Sequence, residues 1–307
     1  MAKAIAVQAA GVTGTGSGKS LTVALLCRLF SEDGYRASPF KALNLTNVTY
    51  KDDEGREFGY SQALQAVSAG IKPDYRMNPF TPKPLGKGKF ELLLEGRTIG
   101  RYEISISEIL RRIARGLSSD LYEKVMESVE RCLKQLMDEY DIICIEGSGP
   151  SKIRGIGAFS KFLDIPNMKT AELASAPVVL LANSIDSAIA TFHYLSDEER
   201  SRIKGIVLNR FQLRNLEKEF TEEIGVPRRI FEYGMRRVER GWLKMMREVK
   251  VLGSIPYLEE LSEIPDLDPI FSDKKVNMDL WRKLIPKIAK KVRKRINMDE
   301  IYRTMGL

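Results

Sequence analysis

The chain has 307 residues, 43% of them hydrophobic and 29% charged, which is enough apolar side chain for one large α/β domain or two smaller ones and excludes global disorder. A formal net charge of +8 suits anionic partners (nucleic acid, an acidic membrane, phosphorylated or carboxylated small molecules) without choosing among them. Three scattered cysteines with no C-x-x-C pair, and His193 as the only histidine, argue against a zinc site, an iron–sulfur cluster and Cys–His or Ser–His catalysis.

The N-terminus lacks the pattern of a signal peptide. No apolar run reaches the roughly 18 residues of a membrane span. The expectation is a soluble, cytoplasmic protein with no membrane partner, its cysteines buried as free thiols.

In chain order, residues 4–10 read as a buried strand and 20–30 as a helix with Leu21, Ala24, Leu25 and Leu29 on one face. A short strand is predicted near 36–40, and helices at 60–69 and 121–137. In the latter, Leu121, Val125, Val129, Cys132, Leu133 and Leu136 line one side. Apolar runs at 141–145, 177–182, 205–209 and 251–255 suit central parallel strands. This alternation predicts an α/β fold, a doubly wound, mostly parallel sheet in a single domain spanning residues 1–307. Residues 78–106 break the pattern with Pro, Gly, Lys and short β-like pieces (90–94, 98–99), and read as an inserted β-rich hairpin. The helix at 280–296 is basic and amphipathic, and its Lys and Arg residues read as a solvated face rather than a nucleic-acid or membrane surface.

The sharpest local signal is Thr13-Gly14-Thr15-Gly16-Ser17-Gly18-Lys19-Ser20, between the first strand and the first helix. In a phosphate-binding loop, glycines let backbone N–H groups crowd around phosphate oxygens. Lys19 then supplies a point charge between the β- and γ-phosphates, and the Ser20 hydroxyl a ligand for Mg²⁺. The usual pattern has glycine where Thr13 stands, so this is a variant. ATP with Mg²⁺ is the predicted cofactor pair, held by Thr15, Gly16, Ser17, Gly18, Lys19, Ser20 and Leu21.

Glu146 ends the strand at 141–145 and is followed by Gly147-Ser148-Gly149, the place for a magnesium or water ligand that a substrate can approach closely. Lys41, after the strand at 36–40, offers a second charge for the γ-phosphate, although alone it reads first as a surface lysine. Asn209 ends a later strand, where its amide either reads a base edge or does nothing.

Taken together, these blocks resemble the ATP-binding portion of cobyric acid synthase, in the dethiobiotin synthetase-like branch of P-loop proteins. The resemblance rests on Gly18-Lys19-Ser20-Leu21, Pro39-Phe40-Lys41-Ala42 with Asn44, Gln62-Ala63-Leu64-Gln65-Ala66, Met77-Asn78-Pro79 and Lys83-Pro84. It continues through Ile145-Glu146-Gly147, Asn167-Met168, Ala176-Pro177-Val178, Ile185-Asp186, Asn209, Leu252-Gly253 and Pro256-Tyr257, in family order along nearly the whole chain. It implies an amide-forming C–N ligase in which ATP phosphorylates a carboxylate, on a tetrapyrrole or corrinoid acid, and ammonia attacks the acyl phosphate. Lys19, Lys41 and Glu146 then carry catalysis, Ser20 and Glu146 hold the metal, and Asn209 and Pro256 hold adenine. Asn44, Gln62, Gln65, Asn78 and Lys83 match substrate-side positions, and Lys152 stands where the family has an acid.

The sequence departs from the family at Val67, Lys152, Arg154 and Asp186-Ser187-Ala188-Ile189, and nothing up to Leu307 resembles the family's glutamine amidotransferase domain. The expectation is therefore ammonia from solution or from a separate amidotransferase subunit, and an acid more anionic than a corrinoid. The dethiobiotin synthetase branch implies a homodimer. Two other readings stay open. One is a dethiobiotin synthetase-like cyclo-ligase. The other is a switch ATPase resembling ParA and MinD, against which Gly14 stands in place of their signature lysine.

Overall fold

The structure is a computed structural model that describes residues 2–11, 18–86, 88–103, 119–151, 164–209, 225–230, 233, 249–262, 264–267 and 274–307. The loop residues Thr15, Gly16 and Ser17, together with Lys152 and Arg154, lie outside the described residues, as does most of the segment 228–250.

Eleven strands are described: β1 (Lys3–Ala9), β2 (Ala37–Phe40), β3 (Thr49–Lys51), β4 (Glu57–Gly59), β5 (Phe80–Gly86), β6 (Lys89–Leu94), β7 (Arg97–Glu103), β8 (Ile142–Pro150), β9 (Val178–Ala182), β10 (Ile203–Asn209) and β11 (Lys250–Ile255). Six of them form one parallel sheet in the order β11-β10-β9-β1-β8-β2. The fold is a doubly wound α/β sheet.

Each face has its own core, because a strand covered on both sides must be apolar on both. Ile5 and Val7 of β1 and Ile142 and Cys144 of β8 pack with helix α1 (Lys19–Glu32) through Val23, Leu26, Leu29 and Phe30. Ala4, Ala6, Ile143 and Ile145 point the other way, against Val125, Val129, Leu133 and Leu136 of helix Ser119–Glu139. Burial pushes the Cys27 thiol well up and the Cys132 thiol up to about 12, so these cysteines pack as small apolar groups rather than as nucleophiles.

Two features place the site. Helix α2 (Tyr60–Ser68) packs against both α1 and the helix Met278–Arg293, which also contact each other. Trp281 of that helix is wholly buried, and its indole N–H donates to the Leu64 carbonyl at 3.1 Å and the Ser68 hydroxyl at 2.9 Å. The basic residues Lys287, Lys290, Lys291 and Arg293 lie on the exposed side of the helix, while Ile285, Ile288, Ala289 and Val292 are buried.

The second feature is a separate antiparallel sheet, β5-β6-β7. Within 78–106 the sequence suggests strand only around 90–94 and 98–99. It misses β5 because Pro82 and Pro84 lack the N–H that a ladder needs. The structure tolerates both because β5 is an edge strand.

β11 is anchored by Gly253, whose φ is +138° and whose ideal Cβ would lie 2.1 Å from the Arg295 carbonyl oxygen. Backbone meets backbone there, so no rotamer change relieves the clash. Gly253→Ala is expected to destabilise the fold by about 3 kcal/mol or more, read by urea denaturation.

Candidate functional site

The carboxyl edge of the parallel sheet gathers most of the residues singled out from the sequence. Strand order explains why: β8 lies between β1 and β2, so Glu146 of β8 and Lys41, just past β2, become neighbours despite a separation of 105 residues. Glu146 is 1% exposed and Lys41 2% exposed, and Lys41 Nζ donates to Glu146 Oε1 at 2.8 Å. The same oxygen accepts from Ser20 Oγ in the first turn of α1, also at 2.8 Å. On the other oxygen, Oε2, Gln62 Nε2 donates at 3.3 Å and Gln65 Nε2 at 2.5 Å. A buried carboxylate costs several kcal/mol unless its charge is paired and its lone pairs are filled, and here both conditions are met.

Lys19 opens α1 and is also buried. Its ammonium donates to the Gly149 carbonyl at 3.1 Å. That carbonyl is brought into reach by an irregularity in β8. Val7 pairs with Glu146 and Ala9 with Pro150, so Gly147, Ser148 and Gly149 together oppose the single residue Gln8. Asn167 ties the irregular stretch down. Its amide donates to the Ser148 and Pro150 carbonyls at 2.9 and 3.2 Å, and its Oδ1 accepts from Ser148 N–H at 3.1 Å. In sequence Asn167 stands only in the block Asn167-Met168, and no periodicity or spacing gives it this task.

Asn209 ends β10, buried, beside the end of β11, after which Pro256 follows. Gly18, with φ +85°, runs against Asn209: an ideal Cβ there would sit 2.5 Å from Asn209 Nδ2. Glycine is the residue that fits both the conformation and the contact. Leu21 is half-buried against the core on the α1 face.

The residues expected on the substrate side separate into two groups. Asn44, Gln62, Gln65 and Asn78 are all buried and bonded to protein rather than presented to an open surface. Asn44 Nδ2 donates to Gln62 Oε1 at 3.0 Å and to Ser61 Oγ at 3.2 Å. Asn78 Nδ2 donates to the Lys41 carbonyl at 2.8 Å, while its Oδ1 accepts from Gly59 N–H at 2.9 Å and from Thr81 Oγ1 at 2.7 Å. These amides form a layer behind Lys41 and Glu146.

Lys83 lies apart from that layer. On β5 it pairs with Glu57 of β4, which also accepts from Thr49 Oγ1. Burial acts to raise the Glu57 carboxyl, but the Lys83 and Thr49 hydrogen bonds and the charges of Lys83 and Lys51 outweigh it and hold the group below the usual carboxylate range.

These residues fit a nucleotide and a hard divalent cation. Lys19 and Lys41 are cations at the start of α1 and just past β2, Ser20 and Glu146 are hard oxygen donors in contact, and the backbone at Gly18 packs too closely for any Cβ. A family model, described as the CobQ/CobB/MinD/ParA nucleotide-binding domain (CbiA), matches residues 9–268. The chain belongs to this family.

Among similar proteins, the cobyric acid synthase of Pelotomaculum thermopropionicum is 36% identical over 218 residues, covering 69% of this chain and 38% of that protein. The cobyric acid synthase of Nostoc punctiforme is 31% identical over 296 residues, covering 91% of this chain and 52% of that protein. The chain thus spans about half the length, or less, of these relatives. Among the described residues, no helix is long and apolar enough to cross a membrane.

Proposed function

We propose that the chain is an ATP- and Mg²⁺-dependent, carboxylate-activating ligase that forms an acyl phosphate and then an amide, as the name of its cobyric acid synthase relatives suggests. The observation that carries this reading is the convergence of Ser20, Lys41 and Glu146 at one point of the sheet edge, next to Lys19.

In this reading the N-terminal end of α1, with Lys19, holds the β- and γ-phosphates, and Ser20 and Glu146 hold the magnesium ion. When bound, the cation neutralises phosphate oxygens and polarises the γ-phosphoryl group. Lys41 leaves Glu146 for the γ-phosphate, exchanging one anionic partner for another. A carboxylate oxygen of the substrate attacks the γ-phosphorus, the bond to the β–γ bridging oxygen breaks, and ADP leaves. Ammonia then attacks the acyl carbon, the C–O bond to phosphate breaks, a proton is lost, and amide and phosphate result. The carboxylate must first be phosphorylated because its own oxygen is too poor a leaving group. Asn209 and the segment at Pro256 take the adenine side. Lys83 and Lys152 attract an anionic carboxylic acid, and ammonia is the nucleophile.

The test is ADP release with a panel of carboxylic acids, with and without ammonium. Stimulation by an acid and further stimulation by ammonium is the expected result. ADP release that responds to an acid but never to ammonium fits a cyclo-ligase, and release that ignores every acid removes the ligase reading. Glu146→Gln is expected to raise the Mg²⁺ requirement of turnover at least tenfold with little change in nucleotide affinity measured in EDTA; equal losses in both would discard Glu146 as a metal-holding residue.

A further inference from the structure

Gln65 is joined to both residues read above as holding the metal. Its Nε2 carries two hydrogens, and two acceptors take them: Glu146 Oε2 at 2.5 Å and the main-chain carbonyl of Ser20 at 3.1 Å. One amide group therefore spans β8 and the first turn of α1, and this sets which end of the side chain carries the oxygen. That oxygen, Oε1, is buried and accepts no hydrogen bond among the described residues.

Gln62, one turn earlier on α2, provides the contrast. It also donates to Glu146 Oε2, but its own Oε1 is occupied by Asn44 Nδ2. Two neighbouring carboxamides serve the same carboxylate, and only one keeps a vacant acceptor. A buried carbonyl without a donor is costly in a folded chain, so its retention calls for a donor that arrives later.

We propose that Gln65 is a positioning residue for the magnesium ion: its N–H groups set the spacing of Ser20 and Glu146, and its Oε1 accepts a hydrogen from a water carried by the metal. The proposal rests on the reading of Ser20 and Glu146 as the metal-holding pair. A magnesium ion with one hydroxyl, one carboxylate and phosphate oxygens around it keeps several waters, and their hydrogens need acceptors. Glu146 is poorly placed to supply them all, because both of its oxygens already accept from protein donors. The unfilled carbonyl of Gln65, on the residue bonded to the Ser20 main chain and the Glu146 carboxylate, answers that need. Outer-shell partners of this kind typically control metal affinity by about 10- to 100-fold.

The experiment is a Mn²⁺ titration of the whole chain with saturating ADP, followed by electron paramagnetic resonance, alongside ADP binding in EDTA and thermal melting in EDTA. Gln65→Met is expected to raise the Mn²⁺ concentration at half-saturation by about 10-fold or more while ADP binding in EDTA stays within twofold. Gln62→Met, which removes an amide from the same carboxylate oxygen but no vacant acceptor, should shift it at least threefold less. Gln65→Asn retains the amide but withdraws it by one methylene. It is expected to shift the metal titration in the same direction as Gln65→Met, and it decides the matter if the Met variant does not melt cooperatively. Equal shifts in the Gln62 and Gln65 variants, or an unmoved titration in a folded Gln65 variant, overturn the proposal. Glu146→Gln separates the two levels. If that variant leaves the Mn²⁺ titration unchanged, the metal reading itself fails; if it shifts the titration and the Gln65 variants do not, only the role of Gln65 fails.

Discussion

Lys19→Ala is expected to reduce ATP turnover by about 10³-fold or more, because a charge opposed directly to the phosphoryl oxygens is lost and nothing in the first turn of α1 replaces it. The fold should survive. Lys19 donates to the neutral Gly149 carbonyl at 3.1 Å, a contact whose loss strands no charge. Single-turnover ADP formation, read beside urea denaturation, checks both halves. Turnover within tenfold of the parent in a folded Lys19→Ala protein would sink the assignment of the phosphate-binding role.

Lys41→Met is expected to fail in two ways. Turnover falls by about 10²–10³-fold, the usual consequence of removing one donor aimed at developing charge. The nucleotide-free protein also loses about 3–5 kcal/mol of stability, because Glu146 stays 1% exposed without the cationic partner that offsets its burial. The second loss is specific to the pair. Adding Glu146→Gln to Lys41→Met should restore most of the stability and none of the turnover. Strictly additive stability changes in that double-mutant cycle would show that the two side chains are not coupled.

Those two experiments draw on information of different kinds. The role expected of Lys19 comes from a run of eight residues, Thr13 to Ser20, lying between a strand pattern and a helix pattern, and each part of that argument is local. The expected partnership of Lys41 is another matter. No residue near Lys41 in sequence says that it will meet an acid 105 positions away. The amide residues make the point again. Asn44, Gln62, Gln65 and Asn78 stand out in the sequence only through resemblance, as residues on the substrate side. The structure turns them inward, where they hold Lys41 and Glu146 in place. Type and spacing do not distinguish an amide that faces a ligand from one that faces a carboxylate, since both offer the same donors and acceptors.

By itself, then, the sequence determined the six strands of the parallel sheet and the helices at 20–30, 60–69, 121–137 and 280–296, the α/β class, the phosphate-binding run near its N-terminal end and the presence of an acid in a central strand. Periodicity and short motifs carry those properties because side-chain direction and turn chemistry are set within a few residues. Only the tertiary structure decided that β8 lies between β1 and β2, and with that placement which groups surround Glu146, where Lys19 rests, and that Pro82 and Pro84 belong to an edge strand. Strand order follows from how two apolar faces are covered at once by helices distant in sequence. That is a balance over the whole chain, and no short segment records it.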